Sequence, residues 1–327
     1  MFDVITIGSA TVDVFLRVSE RDEHFRRHRK HCDVCYPLGL KELVTGMQLS
    51  TGGGGTNTAV AFARLGFRTG WLGILGDDEH GSMVQRQLHG EGVQLLGKKK
   101  KGMTGYSVIL TGLQQDHVPL VYKGVNDRLT MHDVPYPRLQ TRWFYFSAML
   151  GQSLRTMLQL AQFAKRGHIP YAFNPSIYLA EQGIALLRPL LEGCMVLVLN
   201  KEEAQALAGS RQHGRELLRK LHRVTGGSIV VTDGSKAAHA TDGSSYYRLV
   251  PRPVHVVETT GAGDAFASGV VAGLLLKNDL GFGLRLGQAE AAAVIQHQGA
   301  KEKLLSLREA QNLVQKRQAS LRIGALR

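Results

Sequence analysis

The sequence predicts an α/β fold: a mainly parallel central sheet with helices on both faces, accompanied by a small second β-sheet. Three observations predict it. Short apolar runs alternate with helical segments along most of the chain, and that alternation sandwiches a parallel sheet between helical layers. Two pairs of alternating segments with hairpin character interrupt the rhythm,. No internal repeat and no Pro- or Ser-rich linker divides the 327 residues. The expectation is one domain over 1–327, with segments 12–50 and 103–124 inserted in the α/β core as the second sheet.

Residues 3–8 (DVITIG) form an apolar run ending in glycine, the signature of a buried strand,. Residues 11–18 alternate Val12, Val14, Leu16 and Val18 with other positions and read as a half-exposed strand,. Residues 21–41 are charged and turn-rich, which predicts an irregular excursion. After the glycine run 52–55, residues 56–66 (TNTAVAFARLG) predict a helix with Thr56 as N-cap and a glycine stop,. A strand over 71–76 and a helix over 79–90 follow. Residues 104–110 and 118–123 predict a hairpin whose neighbour in space is 11–18. Strands over 143–147, 169–173, 195–199 and 229–232 then alternate with helices over 154–166, 202–208 and 214–223. A second hairpin (237–240, 246–250), two helices (264–276, 283–298) and a polar, basic helix from 304 complete the expectation.

Hydrophobic and charged fractions of 43% and 20% are those of a soluble globular protein,. No apolar run reaches the length of a membrane span, and residues 1–10 lack the basic region of a secretory signal,. Three cysteines make no disulfide framework and point to a reducing, cytoplasmic setting,. The formal charge of +13 is concentrated in local runs, such as Arg26, Arg27, Arg29 and Lys30, or Lys98 to Lys101. Such runs are solvated faces in most proteins, and a basic enzyme also steers anionic ligands. No nucleic-acid-binding motif accompanies the charge, which argues against that partner class.

The strongest chemical signal is residues 258–269 (ETTGAGDAFASG). Gly261, Ala262 and Gly263 stand directly before a helix, where bare backbone N–H groups can hold a phosphate or a developing anion. Asp264 in the first turn can take a hydroxyl proton, or can simply cap the helix. Spacing alone leaves both readings open. The phosphate loop G-x-x-x-x-G-K-[ST] is absent, as is a G-x-G-x-x-G after the first strand,.

ETTGAGDAFASG resembles the C-terminal signature of the ribokinase-like (PfkB) carbohydrate kinases, D-T-T-G-A-G-D-x-F. Five further segments resemble that family in its order and spacing. They are GSATVD (8–13) at the end of the first strand, GGGGTNTA (52–59), NKEE (200–203), TDG (232–234) and QAEAAAVIQHQGA (288–300). The resemblance implies a ribokinase-like fold with a small β-sheet lid, and ATP-dependent phosphotransfer to a hydroxyl of a sugar or nucleoside. It implies Asp264 as the base and the N–H groups of Gly261, Ala262 and Gly263 as the charge-stabilising site. Asp13, Gly52, Gly53 and Asn57 would bind the acceptor. Asn200, Thr232, Gly234, Ala293, His297 and Gly299 would bind the nucleotide, with Ala292 beside Ala293 on the adenine-side helix. Glu203 would hold Mg²⁺ through water, and Asn200 with Glu203 also fits a helix capping box. Glu258 stands where the family's usual form has Asp, beside a site for a monovalent cation such as K⁺. The lid offers a surface for a homodimer.

Some residues depart from the pattern. Gly54 replaces the Lys of ribokinases, and Ser147 occupies the strand where they place a ribose-binding Glu, so ribose is disfavoured. Lys123 and Asn126, just after the lid hairpin, could touch a substrate oxygen or phosphate, or form an exposed loop pair. His28, His31, Cys32 and Cys35 could hold zinc, against which stand their short spacing and the basic loop around them,. Two other readings remain: a sugar-phosphate kinase of the same fold, and a non-catalytic small-molecule or nucleic-acid binder.

Overall fold

The computed structural model describes residues 1–18, 25–27, 32–113, 116–316 and 319–326. The chain begins with β1 (Phe2–Ile7), β2 (Thr11–Arg17), β3 (Phe25–Arg27), β4 (Cys32–Val34) and β5 (Gly46–Gly52). It continues through α1 (Gly54–Arg64), β6 (Thr69–Leu72), β7 (Ile74–Gly76), α2 (Glu79–Gly90), β8 (Gln94–Leu95) and β9 (Lys98–Lys100). The hairpin β10 (Gly105–Leu113) and β11 (Asp116–Tyr122) follows, then β12 (Thr141–Ser147), α3 (Gly151–Arg166) and β13 (Tyr171–Asn174). Next come α4 (Ile177–Ala180), α5 (Gly183–Leu191), β14 (Val196–Asn200), α6 (Lys201–Ala208), α7 (Gly214–Thr225) and β15 (Ser228–Thr232). The C-terminal part holds β16 (Ala238–Thr241), β17 (Ser245–Pro251), α8 (Ala262–Lys277), α9 (Leu280–Val294), α10 (Leu307–Gln315) and β18 (Ala319–Ala325).

Ten strands form the central sheet in the order β18-β17-β16-β15-β14-β13-β12-β1-β6-β8. The seven from β15 to β8 pair in parallel, and β16, β17 and β18 extend the sheet antiparallel. Alternation along β1 divides the core between two layers. Ile5 and Ile7 face one cluster with Phe144, Phe146 and Leu160 of α3, whereas Val4 faces another with Val270 of α8 and Leu284 of α9. Both faces are thus buried, as the apolar strands require.

The second sheet has the order β11-β10-β2-β5. β10 lies beside β2, as the sequence led us to expect; the two run parallel, and β10 is antiparallel to β11. β5 closes its other side antiparallel to β2. This sheet places β2 and β5 over the carboxyl ends of the central strands, where open α/β sheets form their crevice.

Several expectations are corrected. Residues 21–41 are not wholly irregular, because β3 and β4 pair antiparallel within them. The strand expected over 71–76 breaks at Gly73: β6 stays in the central sheet, and β7 pairs with β9. Helix α1 starts at Gly54 with Gly53 as N-cap, two residues ahead of the expected Thr56 start. The C-terminal segment is a helix followed by the edge strand β18. His28 and His31 lie outside the described residues.

Candidate active site

A cavity of about 440 Å³ opens between the two sheets. Three glycines in two turns shape it. Gly52 ends β5 where an added Cβ would fall on the Asp13 carboxylate. Gly53 has φ of 95°, and a Cβ there would meet the Ser9 carbonyl oxygen at 2.6 Å. Gly261 caps α8 with φ of 80°, its α-carbon pressed against Ala300. Each turn needs glycine because backbone approaches backbone or a carboxylate.

Asp264, in the first turn of α8, lines this cavity together with Asp13, Asn57 and Glu203. Asn57 donates from Nδ2 to Asp264 Oδ2 at 2.8 Å. Burial pushes the Asp264 carboxyl above its ordinary pKa, more than Asn57 and the cation of Lys301 pull it down,. Asn57 is itself 6% exposed, and its Oδ1 is buried with no partner among the described residues. A buried acceptor of this kind is costly unless something donates to it.

The sequence places Asp13 at the end of the first strand. The structure places it within β2, paired with Ser107 of β10 and Ser50 of β5. The GSATVD segment leaves β1 at Ile7 and enters the lid sheet at Thr11, so the carboxylate hangs from the lid. Asp13 Oδ1 accepts from Thr11 Oγ1 at 2.9 Å, and Ser107 also bonds the carboxylate. Burial raises its pKa, with Ser107, Thr11 and Lys301 opposing.

Two of the three residues expected to supply anion-binding N–H groups line the cavity, Gly261 and Gly263. The third, Ala262, lies outside the lining and donates its N–H to the Thr259 carbonyl at 3.2 Å. Asn200 and Glu203 line the cavity and form the capping box of α6. Glu203 N donates to Asn200 Oδ1 at 2.8 Å, and Asn200 N to Glu203 Oε2 at 2.9 Å. Burial pushes the Glu203 carboxyl up to about 7, opposed by the Asn200 N–H and reinforced by Asp264 and Glu202. Thr232 lines the cavity as well, its hydroxyl bonded to the Leu199 carbonyl.

Gly234, Ala293, His297 and Gly299 stand outside the cavity lining. Ala293 is 7% exposed and belongs to an apolar cluster that α9 shares with α8. His297 Nδ1 is tied to the Ala293 carbonyl at 3.1 Å. Gly234 and Gly299 occupy turns with positive φ. Glu258 is buried and also lies outside the lining. Its Oε1 accepts from the N–H groups of Thr259 and Thr260 and from Thr260 Oγ1.

Lys123 lines the cavity beneath the lid, 5.2 Å from the Tyr178 ring, and burial lowers its pKa against the pull of Asp127. Asn126 is no exposed loop residue. It is 2% exposed and bridges both polar groups of Ala10, accepting from its N–H at 2.9 Å and donating to its carbonyl at 2.8 Å. It thereby locks the β1–β2 crossing that delivers Asp13. Sequence reasoning missed Ser107 and Lys301. Ser107 reaches the site only through the β2–β10 register. Lys301 is one of 40 Lys and Arg residues, and its one distinguishing mark is its place directly after the turn at Gly299 and Ala300.

The N-terminus of α8 brings the N–H groups of Gly261 and Gly263 and the Asp264 carboxylate to one cavity, which Asp13 and Asn57, whose amide oxygen is unpaired among the described residues, also line. That arrangement can activate a hydroxyl and stabilise charge on a group transferred to it. The comparisons agree with this chemistry. The family model of the pfkB family carbohydrate kinases matches residues 1–306. A fructokinase of Escherichia coli is 29% identical over 237 residues, covering 68% of this chain and 76% of that protein. Adenosine kinase from Sinorhizobium meliloti has the same fold, with TM-score 0.81, 22% identity and coverage of 95% and 98% of the two chains. Ribokinase from Arabidopsis thaliana, complexed with ribose and ATP, gives TM-score 0.77, 21% identity and coverage of 96% and 98%. The chain belongs to the pfkB family of carbohydrate kinases.

Proposed function

We propose that this cavity moves the γ-phosphoryl group of ATP to a hydroxyl of a sugar or nucleoside, with Asp264 as the base and Asp13 and Asn57 as ligands of the acceptor. The observation that carries this reading is the double role of Asn57. One end of its amide holds Asp264 at 2.8 Å, and the residue lines the cavity with a buried Oδ1 that has no partner among the described residues. A hydroxyl that satisfies Oδ1 is brought beside the carboxylate that takes its proton. The new bond joins that oxygen to the γ-phosphorus, the bond from the γ-phosphorus to the β-bridging oxygen breaks, and ADP leaves. The N–H groups of Gly261 and Gly263 meet the charge on the transferred group.

Mg²⁺, when bound, neutralises the phosphate oxygens. The residues present fit it. Glu203 keeps one carboxylate oxygen outside the capping bonds and lines the cavity with Asn200, and Mg²⁺ retaining its waters needs few protein oxygens,.

Lys123 supports a second reading. It is the one Lys or Arg among the described residues lining the cavity, which favours an acceptor that already carries an anionic group. Met47, Leu49, Leu120 and Tyr122 leave apolar surface exposed on the lid, which supports a homodimer through that sheet. ADP release with MgATP over D-ribose, D-fructose, adenosine and their phosphates tests the activity. Release that depends on an acceptor and vanishes in Asp264→Asn is expected. Release indifferent to every acceptor and to that substitution overturns the reading.

A further inference from the structure

Lys301 is 2% exposed, and its side chain is among the largest fully buried in the protein. Its Nζ donates three hydrogen bonds: to Thr51 Oγ1 at 3.0 Å, Thr56 Oγ1 at 3.1 Å and Gln87 Oε1 at 3.0 Å. Thr56 passes its own proton to the Gly52 carbonyl at 2.6 Å, and Thr51 donates to Gln87. Every acceptor around Nζ is neutral, and all three are served at once only by the protonated amine, which has three donors. The side chain thus carries its ammonium into the interior with no carboxylate in contact among the described residues. Removing a charge from water in this way is costly unless other charges compensate.

The compensating charges act at a distance. Asp13 of β2, Asp264 of α8 and Glu91 after α2 favour the charged ammonium, while Arg64 of α1 opposes it. Arg64 is itself paired with Glu91 and faces Glu290 and Glu302. Glu203 and Tyr145 are the further groups that feel Asp264. The backbone beside Lys301 is equally engaged: Ala300 packs against Gly261, and the Lys301 carbonyl accepts from Arg64 at 2.9 Å. One short segment therefore touches the turn before α8 and the turn at Gly52 and Gly53 that leads into α1, the helix of Asn57.

We propose that Lys301 is a positioning residue of this site: its buried amine, when protonated, clamps the segment from Thr51 to Thr56 in the acceptor-binding shape and brings positive charge to Asp13 and Asp264. The proposal rests on the reading of Asp13 and Asn57 as acceptor ligands. Two consequences follow from the geometry. The clamp fixes Gly52, whose α-carbon abuts the Asp13 carboxylate, so slackening it displaces the acceptor wall before the nucleotide wall. The charge favours the ionised form of both carboxylates, opposing the burial that raises them. Burial lowers the ammonium itself to about 7, with the two carboxylates holding it up.

Two substitutions separate clamp from charge. Lys301→Met removes both. Gln87→Glu keeps an acceptor on Nζ and cancels its charge with a carboxylate. In ADP-release assays on D-ribose, D-fructose and adenosine, Lys301→Met is expected to raise the acceptor KM by about tenfold with little change in the KM for ATP. Both variants are expected to move the acid limb of kcat/KM upward by about one pH unit, the scale of a nearby opposite charge. An unchanged acceptor KM and an unchanged acid limb in active Lys301→Met overturn the proposal, and leave the kinase reading standing. A second measurement needs no acceptor. In a ¹³C NMR titration of the lysine ε-carbons, one resonance absent from Lys301→Met is expected to titrate far below the others, higher in Gln87→Glu and lower still in Asp13→Asn. A Lys301 resonance that titrates with the bulk lysines, or that ignores Asp13→Asn, also overturns it.

Discussion

Asn57 and Asp264 are 207 positions apart in the chain and meet through a 2.8 Å hydrogen bond across the cavity. That bond joins the helix that opens the acceptor loop to the helix that opens the anion site. It also favours the charged form of a carboxyl whose pKa burial raises,.

Asp264→Asn should keep the fold, because Asn is tolerated in a first helical turn and can still bond Asn57. The turnover number should fall by roughly 10²–10⁴, the contribution of a positioned base. In the wild type, the raised pKa of Asp264 places the acid limb of kcat/KM above the ordinary carboxylate range. Asn57→Leu removes a bond to the ionised form and should move that limb higher still. A pH profile of both proteins checks this, and a limb at the same pH in Asn57→Leu would separate the bond from the chemistry.

Asp13→Ala should weaken the acceptor by about ten- to a hundredfold, because partners in a desolvated site are left unpaired. Affinity for ATP should hardly move, since Asp13 hangs from the lid sheet and not from α8. Acceptor KM, ATP KM and melting temperature measured on the one variant decide it. A lower melting temperature with an unchanged acceptor KM would leave Asp13 a structural residue of β2.

Glu203→Gln should preserve α6, because Gln at the third helical position completes a capping box as Glu does. The Mg²⁺ concentration for half-maximal rate should rise, and the acceptor KM should stay. An unaltered Mg²⁺ requirement would reduce Glu203 to its cap.

Glu290 of α9 is fully buried, with Oε2 accepting from the Leu305 N–H at 3.3 Å and Oε1 unpaired among the described residues. Burial pushes its carboxyl up to about 8, against the Leu305 N–H and Arg64. A folded-state pKa above the unfolded value destabilises the protein as pH rises: nothing is lost below about 4.5, and the whole penalty is present above about 8. Glu290→Gln should therefore gain melting temperature over the wild type across that window. A constant difference between the two proteins from acid to alkaline pH would refute it.

The sequence by itself determined the α/β alternation, the glycine turn before Asp264 and the segment holding Asn57, because each is written in neighbouring residues. The periods of helix and strand, a capping box and a glycine run are local signals. What depends on distant pairing was decided by the tertiary structure. β5 (GMQLSTG) carries little strand pattern of its own and is a strand because β2 lies beside it. β18 finds its place only against the edge of β17, and α5 folds as a helix despite an internal proline because its leucines reach the core. The same holds at the site. Ser107 touches Asp13 through a register between strands 94 positions apart, and Lys301 reaches Thr51 from 250 positions away. Ala293 carries the family's alanine pattern, yet the packing of α9 turns its methyl into the core. A buried lysine looks like any other until the fold withdraws it from water, and only then does its charge act on the carboxylates across the glycine loop.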